Sequence, residues 1–390
     1  MNFLVGSVAR SACCAGESLC AELRVRSRYS AVGIYVFVSL LGGVLTGCKP
    51  TTPAGKQVET ETVADPINES FEIETVEDPA TREIWPFLSG VRSNLRERRW
   101  EELEAQAAAL RSEGRAVFDD GSYKIVYFYW AMSPAEEASD AEWAAREVLL
   151  SEWLKARPFS LTALIAKAEF LTSFGWRART SKWAREVTPE GWRLFRERLD
   201  EATILLKEAK RLDERDPMWW MTSMKIAMGL SFSDSQQYRL FEEAIAFDPK
   251  CWHFDVVRAT ALLPRWGGRR GEWEAHAAKA AARTEGLGAE VYARIANDLA
   301  YYHDYFFDET GASWPKTKEG FELIRQRYPK SLAAVHESAF LASNYGDYQF
   351  GLEMADLIGN RFLPDVWTDQ DEFLSFLVWA GEVRLHLKTK

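Results

Sequence analysis

The sequence has few cysteines, and their positions exclude two common kinds of covalent or metal-based scaffold. Four of the five cysteines lie before residue 49, which leaves Cys251 alone in the rest of the chain. A single cysteine can form neither an internal disulfide nor a cysteine-based metal site. The five histidines are scattered, and none is followed by a second histidine at the i + 4 spacing of a helical metal site. We therefore expect no metal site and no cofactor.

Sequence patterns that mark common enzyme classes are also missing from the part of the chain that is expected to fold. It has no Gly-x-Ser-x-Gly nucleophile elbow and no Walker-type phosphate loop. His336-Glu337 begins like a zinc-protease motif, but Phe340 stands where the second histidine ligand is required. We therefore predict no catalytic residue and expect a protein that is not an enzyme.

Positive charge is not in excess. The chain has 48 Lys and Arg residues against 58 Asp and Glu residues, a formal net charge of −10. Because nucleic-acid phosphates attract basic surfaces, this balance argues against a nucleic-acid partner. Tryptophan is abundant, with 16 residues, yet none precedes Trp85. Since large aromatic side chains stabilise packed cores, the folded domain is expected to begin near residue 80.

A long apolar run near the N-terminus has the pattern of an export signal. Three arginines between Arg24 and Arg28 precede the run, which extends from Ala31 to Leu45. It is short for a membrane-spanning helix but has the charged front and the apolar middle of a secretory signal. It ends in Leu45-Thr46-Gly47-Cys48, which resembles a bacterial lipobox, the pattern at which the signal is cut and the cysteine is lipidated.

These features predict a lipid-anchored protein. Residues 1–47 form the predicted signal-peptide region, and Cys48 is the predicted site of lipidation, palmitate included. Residues 1–24 fit no part of the signal pattern, so we expect translation to start near Val25. Several acyl chains give stable attachment, which places the protein on the cell membrane or the outer membrane, facing the periplasm or the exterior. Lys49 favours the outer membrane by resemblance to the enterobacterial sorting rule. If the lipobox is accidental, the chain is cytoplasmic instead.

Residues 48–80 are predicted to be a disordered acidic linker. Between Lys49 and Ala80 there are eight acidic residues and two lysines, with many Thr and Pro residues. Such a segment buries too little apolar surface to offset the entropy that ordering costs. The linker would connect the lipidated cysteine to the folded domain.

From residue 81 to residue 390 the apolar residues follow a helical period. Ile84, Leu88 and Val91 share one helical face, and charged residues lie opposite them. Breaks at prolines and glycines divide this region into helices of roughly 12–20 residues with short connections, which implies antiparallel neighbours. We therefore predict one all-α domain over residues 81–390.

The spacing of two breaks suggests the arrangement of these helices. Asp216-Pro217 and Asp248-Pro249 lie 32 residues apart, near the period of about 34 residues of tetratricopeptide (TPR) repeats. A further helix pair starts at Ser331 and turns at Gly346-Asp347-Tyr348. The predicted architecture is a set of antiparallel helix pairs stacked as a TPR-like α-solenoid.

Four phrases in the chain resemble the signature phrases of an uncharacterised bacterial family. They are Trp176-Arg177-Ala178-Arg179, the stretch 187–195 (VTPEGWRLF), the stretch 262–268 (LLPRWGG) and Tyr292-Ala293-Arg294-Ile295. That family is a domain of unknown function with a TPR-like helical fold. The similarity covers roughly Arg82 to Arg294, and Thr180 departs from it because glycine is expected there. The resemblance implies the fold but no substrate.

The same phrases supply the candidate binding residues. Arginine offers a bidentate fork to carboxylate or phosphate, and tryptophan faces suit sugars or extended chains. The candidates are Trp176, Arg177, Arg179, Arg265, Trp266 and Arg294. Binding of an anionic ligand is the alternative here, and the favoured interpretation of the LLPRWGG phrase is structural. In it, LLPRWGG forms a corner with Pro264 and Trp266 mostly buried and with Arg265 paired to a carboxylate.

These observations predict a membrane-anchored lipoprotein of the cell envelope whose helical domain binds or holds another protein. The supporting features are the lipobox, the acidic linker and the helix pairs, which together would present a groove away from the membrane. The alternative is a protein that binds glycans or cell-wall material, or hydrolyses them, in a groove lined by Trp and Arg. The expected binding partner is thus a protein, and a glycan is the alternative. The lipid anchor would attach the chain to a membrane.

Overall fold

The computed structural model describes residues 72–212 and 215–388, and within them the protein is all-α apart from one short β-ladder. The predicted signal region, Cys48 and most of the predicted linker lie outside the described residues. None of the helices in the described ranges combines the length and the apolar character that crossing a bilayer requires.

Nine of the helices in the described residues lie before residue 262. They are α1 (Ile84–Arg96), α2 (Trp100–Ser112), α3 (Lys124–Trp130), α4 (Asp140–Ala156), α5 (Leu161–Arg179), α6 (Pro189–Lys210), α7 (Pro217–Gly229), α8 (Asp234–Phe247) and α9 (Trp252–Ala261). Seven more follow. They are α10 (Glu272–Ala281), α11 (Ala289–Ala300), α12 (Phe306–Glu309), α13 (Trp314–Arg327), α14 (Ala333–Tyr345), α15 (Tyr348–Ile358) and α16 (Gln370–Lys388). The strands β1 (Glu74–Thr75) and β2 (Arg361–Phe362) pair in parallel.

Helix starts coincide with the breaks that the sequence predicts. Thr188 caps α6 by accepting a hydrogen bond from the Gly191 amide at 3.0 Å, and Pro189 occupies the first helical position. Asp216 caps α7 in the same way, through the Met218 amide at 2.9 Å. Proline lacks an amide hydrogen, so it fits the first turn of a helix, where amides have no partner within the helix.

The centre of the core is α5, which is buried on nearly every side. It packs against α2, α3, α4, α6 and α7. A helix that is apolar all round has no solvent face, so its neighbours must cover it. At the edge of this core, α1 buries Ile84, Leu88, Val91 and Leu95, the face that its periodicity predicts. Successive pairs such as α7 with α8 and α14 with α15 also pack together.

Residues 72–80, which the sequence assigns to the linker, lie against the helical domain in the structure. The strand β1 hydrogen-bonds to β2, and Asp78 and Ala80 are buried. The Asp78 carboxylate accepts hydrogen bonds from the amides of Leu332 (3.0 Å) and Ala333 (2.8 Å) at the start of α14. A carboxylate at a helix N-terminus satisfies amides that have no intrahelical partner. This contact explains why an acidic segment is ordered there.

Candidate functional site

A cavity of about 1150 Å³ lies among the N-terminal helices. Its walls come from the segment that leads into α1, from α1 itself, from the end of α3 and the loop after it, and from α4 and α5. Pro364 and Asp365 border it as well. Two of the six candidate residues, Trp176 and Arg177, line this cavity, which we call the α1–α5 cavity.

Four residues that line the cavity have buried polar atoms without a hydrogen-bond partner in the described part of the chain. The atoms are Trp130 Nε1, Ser133 Oγ, Glu136 Oε2 and Trp176 Nε1. Most buried polar groups in proteins are hydrogen-bonded, because an unpaired one costs about 1–3 kcal/mol. Four such atoms thus belong to side chains that line one cavity.

Glu136 carries the most unusual carboxyl group of this cavity. Burial raises its pKa from the ordinary value of 4.5 to about 7, the neighbouring Glu137 adds to the rise, and Arg177 opposes it. Near neutral pH the carboxyl is therefore partly protonated and can act as both hydrogen-bond donor and acceptor. It lies in the loop between α3 and α4, so no helical pattern in the sequence marks it.

Arg177 holds this loop in place. Its guanidinium donates to the carbonyl of Glu136 at 3.2 Å and of Ala138 at 3.1 Å, and it pairs with Asp140 at 2.6 Å. The same group lies 5.5 Å from the centre of the Trp143 ring. With these partners Arg177 is committed to the wall of the cavity, and its role is to position the loop rather than to bind an anion.

Three arginines of α1 and α4 also contribute to the cavity lining, and we call them its cationic wall. They are Arg92 and Arg96 of α1 and Arg146 of α4. Neither Arg92 nor Arg96 has a carboxylate within ion-pair distance among the described residues, which sets them apart from Arg98, bonded to Glu152 at 2.8 Å. The sequence contained a signal for this wall, since no Asp or Glu lies three or four positions from either Arg92 or Arg96.

A buried ion pair lies beside the cavity. Lys225 of α7 donates to Glu169 of α5 at 2.8 Å, and the Thr222 hydroxyl donates to the other oxygen of the same carboxylate at 2.7 Å. Lys225 and Glu169 are 2% and 1% exposed. Glu169 borders the cavity, but its two partners neutralise and orient it. It is therefore a structural carboxylate in this arrangement.

The candidate residues Arg179, Arg265 and Trp266 form a second cluster next to Trp176. The Trp266 and Trp176 rings meet edge to face with centroids 5.2 Å apart, and the Arg179 guanidinium lies 4.7 Å from the Trp266 ring. Arg179 donates to the carbonyls of Thr180 and Lys182, both at 2.8 Å. Burial and the charge of Arg265 lower the pKa of Arg179 to about 10. These arginines fasten the chain after α5 by stacking and by carbonyl contacts.

The expected corner at LLPRWGG forms, but with different burial and a different arginine partner. Pro264 is exposed and Trp266 is only partly buried, because the turn lies at the surface. Arg265 donates to the carbonyl of Ser181 at 3.1 Å and lies over the rings of Trp266 and Tyr302. Aromatic faces and a carbonyl thus take the place of the expected carboxylate.

Each of the two glycines of this corner is required for a different steric reason. Gly267 has a φ of 98°, which favours glycine, and a Cβ on Gly268 would lie 1.9 Å from the carbonyl oxygen of Leu262. Thr180 adopts a φ of 63° after α5, at the position where the resembled family has glycine. A threonine there carries strain that glycine would not, and Thr180 also borders the α1–α5 cavity.

Arg294 lies apart from the other candidates. It donates to Glu290 at 2.9 Å and to the carbonyl of Asp120 at 2.8 Å, and it lies 4.5 Å from the centre of the Trp252 ring. It therefore ties α11 to the loop before α3. Trp183 is 59% exposed and does not line the α1–α5 cavity. The candidates taken from the four phrases thus do not form one site.

Comparisons with models of known families, with curated proteins and with solved structures give no match for this chain. The resemblance to a family of unknown function therefore stays a prediction. Function has to be argued from the cavity.

Proposed function

We propose that this protein binds an extended segment of a partner protein in the α1–α5 cavity. The observation that supports this is the set of four lining residues with unpaired buried polar atoms, Trp130, Ser133, Glu136 and Trp176. An extended peptide carries an N–H and a C=O at each residue, so its binding needs donors and acceptors along its path. The indole N–H groups of Trp130 and Trp176 would act as donors. The Ser133 hydroxyl and the protonatable Glu136 carboxyl would act as donors or acceptors.

The size and character of the cavity favour a peptide over a small metabolite. Pockets for small ligands are typically about 300–1,000 Å³, and this cavity, at about 1150 Å³, is larger. Trp85 at its rim is 49% exposed, and Trp143 in its wall is buried. Tryptophans at the edge and inside a concave site are typical of residues that contribute most to binding.

The helical domain is proposed to be a TPR-like array that supplies this concave surface. Support comes from the helix pairs α5 with α6, α7 with α8 and α14 with α15, each joined by a short connection. Gly346, in the left-handed conformation, ends α14 directly before α15 begins at Tyr348. Stacked helix pairs of this kind bind extended chains on an inner surface.

A substitution that fills the cavity tests this proposal. Ala145 of α4 is exposed and lines the cavity, so Ala145→Trp places a large side chain in it without altering the core. Heptapeptides selected by phage display on the wild-type chain are expected to bind Ala145→Trp about ten-fold or more weakly, because the indole occupies their path. Fluorescence anisotropy with labelled peptides measures the difference.

The neighbouring residue provides the matched control. Ala144 is equally exposed on α4 but does not line the cavity, and Ala144→Trp is expected to bind the selected peptides like the wild type. Equal affinity of the wild type and Ala145→Trp for every selected peptide would place binding elsewhere and contradict the proposal, as would failure to select any peptide.

Glycan binding is a second candidate, and the exposed face of Trp85 at the cavity rim favours it. Sugar rings pack on exposed tryptophan faces through their apolar C–H groups. Binding of the wild type, but not of Ala145→Trp, to a glycan array or to sedimented peptidoglycan would support this candidate over a peptide. We assign no hydrolytic step, because Glu169 is held by Lys225 and Thr222.

We further propose that the protein is a lipoprotein attached through Cys48 to the cell membrane or the outer membrane. The support is the arginine-rich and apolar stretch that ends in Leu45-Thr46-Gly47-Cys48. In bacterial cells that express the chain, Cys48→Ser is expected to lose incorporation of labelled palmitate and to leave the membrane fraction. Cys251→Ser, which alters a buried cysteine far along the chain, is the control and should stay in that fraction. Membrane fractionation unchanged by Cys48→Ser would contradict the proposal.

A further inference from the structure

The cationic wall of the α1–α5 cavity contains arginines whose charges the described residues leave unpaired. Arg92 and Arg96 are one helical turn apart on α1, and no carboxylate among the residues described lies within ion-pair distance of either. Their neighbours at the end of the helix differ, since Arg98 pairs with Glu152 and Arg99 with Glu97. At this end of α1, the arginines that line the cavity are thus the ones without a carboxylate partner, and those just beyond the helix are paired.

Arg146 faces the same cavity from α4 and is held in place. Its Nη1 donates to the carbonyls of Ala131 and Met132, both at 2.9 Å. Burial, together with the charges of Arg92 and Arg96, lowers the pKa of Arg146 to about 10. Arg92 and Arg96 line the same cavity as Arg146, and the charge of each repels the Arg146 guanidinium. This repulsion raises the free energy of the empty site, and an anion among them would relieve it.

The acidic groups that act on these arginines are already engaged, Glu97 by Ser93 and Arg99, and Glu142 within its own helix. The Glu142 carboxylate acts on Arg146 only weakly, and it accepts hydrogen bonds from the amide and the hydroxyl of Ser139, both at 2.9 Å. These contacts form the capping box at the start of α4. Glu142 therefore caps its own helix and does not neutralise the three arginines.

We propose that Arg92, Arg96 and Arg146 form an oxyanion site, which takes a carboxylate or phosphate group of the segment bound in the cavity. The planar guanidinium fork matches both groups, and several forks around one anion hold it by charge-assisted hydrogen bonds. The inference rests on the proposed function for its biological ligand. The site itself can be tested with simple anions.

The test is calorimetric titration of the full mature chain with succinate and with inorganic phosphate, at one ionic strength set by sodium chloride. Wild type is expected to bind at least one of the two anions at one site, and which of them binds more tightly distinguishes a carboxylate source from a phosphate source. Arg92→Gln/Arg96→Gln is expected to bind the same anion about ten-fold or more weakly, since two of three cationic groups are removed.

A charge-matched variant separates this site from general attraction of anions. Arg185 and Arg196 are exposed, form no ion pair with described residues and do not line the cavity. Arg185→Gln/Arg196→Gln removes the same two positive charges and is expected to leave anion affinity unchanged. Equal weakening in both double variants, or no binding of either anion by the wild type, would overturn the oxyanion site.

The outcomes keep this inference distinct from the proposed function. If selected peptides bind in a manner sensitive to Ala145→Trp but neither anion binds, the cavity binds peptides and the oxyanion site is wrong. If an anion binds and depends on Arg92 and Arg96 while no peptide or glycan is found, the oxyanion site stands and the proposed function fails. Circular dichroism of each variant, expected to match the wild type, checks that the exposed substitutions leave the fold intact.

Discussion

Lys225→Met is expected to lower the free energy of unfolding by about 3–5 kcal/mol, because it leaves the Glu169 carboxylate buried without its ionic partner. Lys225 and Glu169 are 2% and 1% exposed, and their charged atoms are 2.8 Å apart. After the substitution only the Thr222 hydroxyl would still donate to the carboxylate. Urea or guanidinium denaturation, followed by far-ultraviolet circular dichroism, measures the change.

Two further variants identify the cause. Lys225→Met/Glu169→Gln removes the stranded charge and is expected to recover most of the loss, because a neutral amide costs less to bury than a carboxylate. Lys182→Met alters an exposed lysine and should change the free energy of unfolding by no more than about 0.5 kcal/mol. A loss below about 1 kcal/mol for Lys225→Met would show that water reaches the pair and replaces the missing partner.

The helical class of the protein could be predicted from the sequence because it depends on local patterns. The apolar period gave the buried face of α1, and the pairs Thr188-Pro189 and Asp216-Pro217 marked the starts of α6 and α7. A capping side chain followed by proline acts within one turn of helix, so no distant contact is needed to recognise it. The whole architecture of stacked pairs, in contrast, remains a proposal.

The α1–α5 cavity could not be predicted, because its walls come from segments that are separate in the sequence. Trp130, Glu136 and Arg146 each look ordinary in their local context, and only packing of the helices brings them to one surface. The strands β1 and β2 were missed for a related reason. Each strand has only two residues, too few for a period to be visible in the sequence. The two strands pair in space although they are about 290 residues apart in the sequence.

The candidate arginines have contacts in the structure that their sequence context did not indicate. Arg177, Arg179 and Arg294 stood out because they occur in phrases with tryptophan or tyrosine. In the structure these three arginines stack on aromatic rings, and each donates a hydrogen bond to a main-chain carbonyl. The arginines with unpaired charge, Arg92 and Arg96, lie in an unremarkable helix. For Arg92 and Arg96, the absence of an acidic residue three or four positions away agrees with the absence of an ion pair in the structure.

Asp78→Ala is expected to lower the free energy of unfolding by about 3–5 kcal/mol, because its carboxylate joins the segment before α1 to the start of α14. The side chain is 1% exposed and accepts hydrogen bonds from the amides of Ala80, Leu332 and Ala333 at 2.8–3.0 Å. Without it, two amides at a helix N-terminus lose their partner and the favourable charge. Chemical denaturation measures the loss.

Amide hydrogen exchange locates the same effect. The amides of Glu74 and Val76, which donate to Asn360 and to Phe362, are expected to exchange faster in Asp78→Ala, because β1 loses the contact that holds it beside β2. Glu77→Ala, at the exposed neighbouring position, is the control and should leave both stability and exchange unchanged. Because residues 76–78 also border the α1–α5 cavity, release of this segment should weaken peptide binding together with stability. Unchanged exchange at Glu74 and Val76 in Asp78→Ala would show that the β-ladder, and not the carboxylate, holds the segment in place.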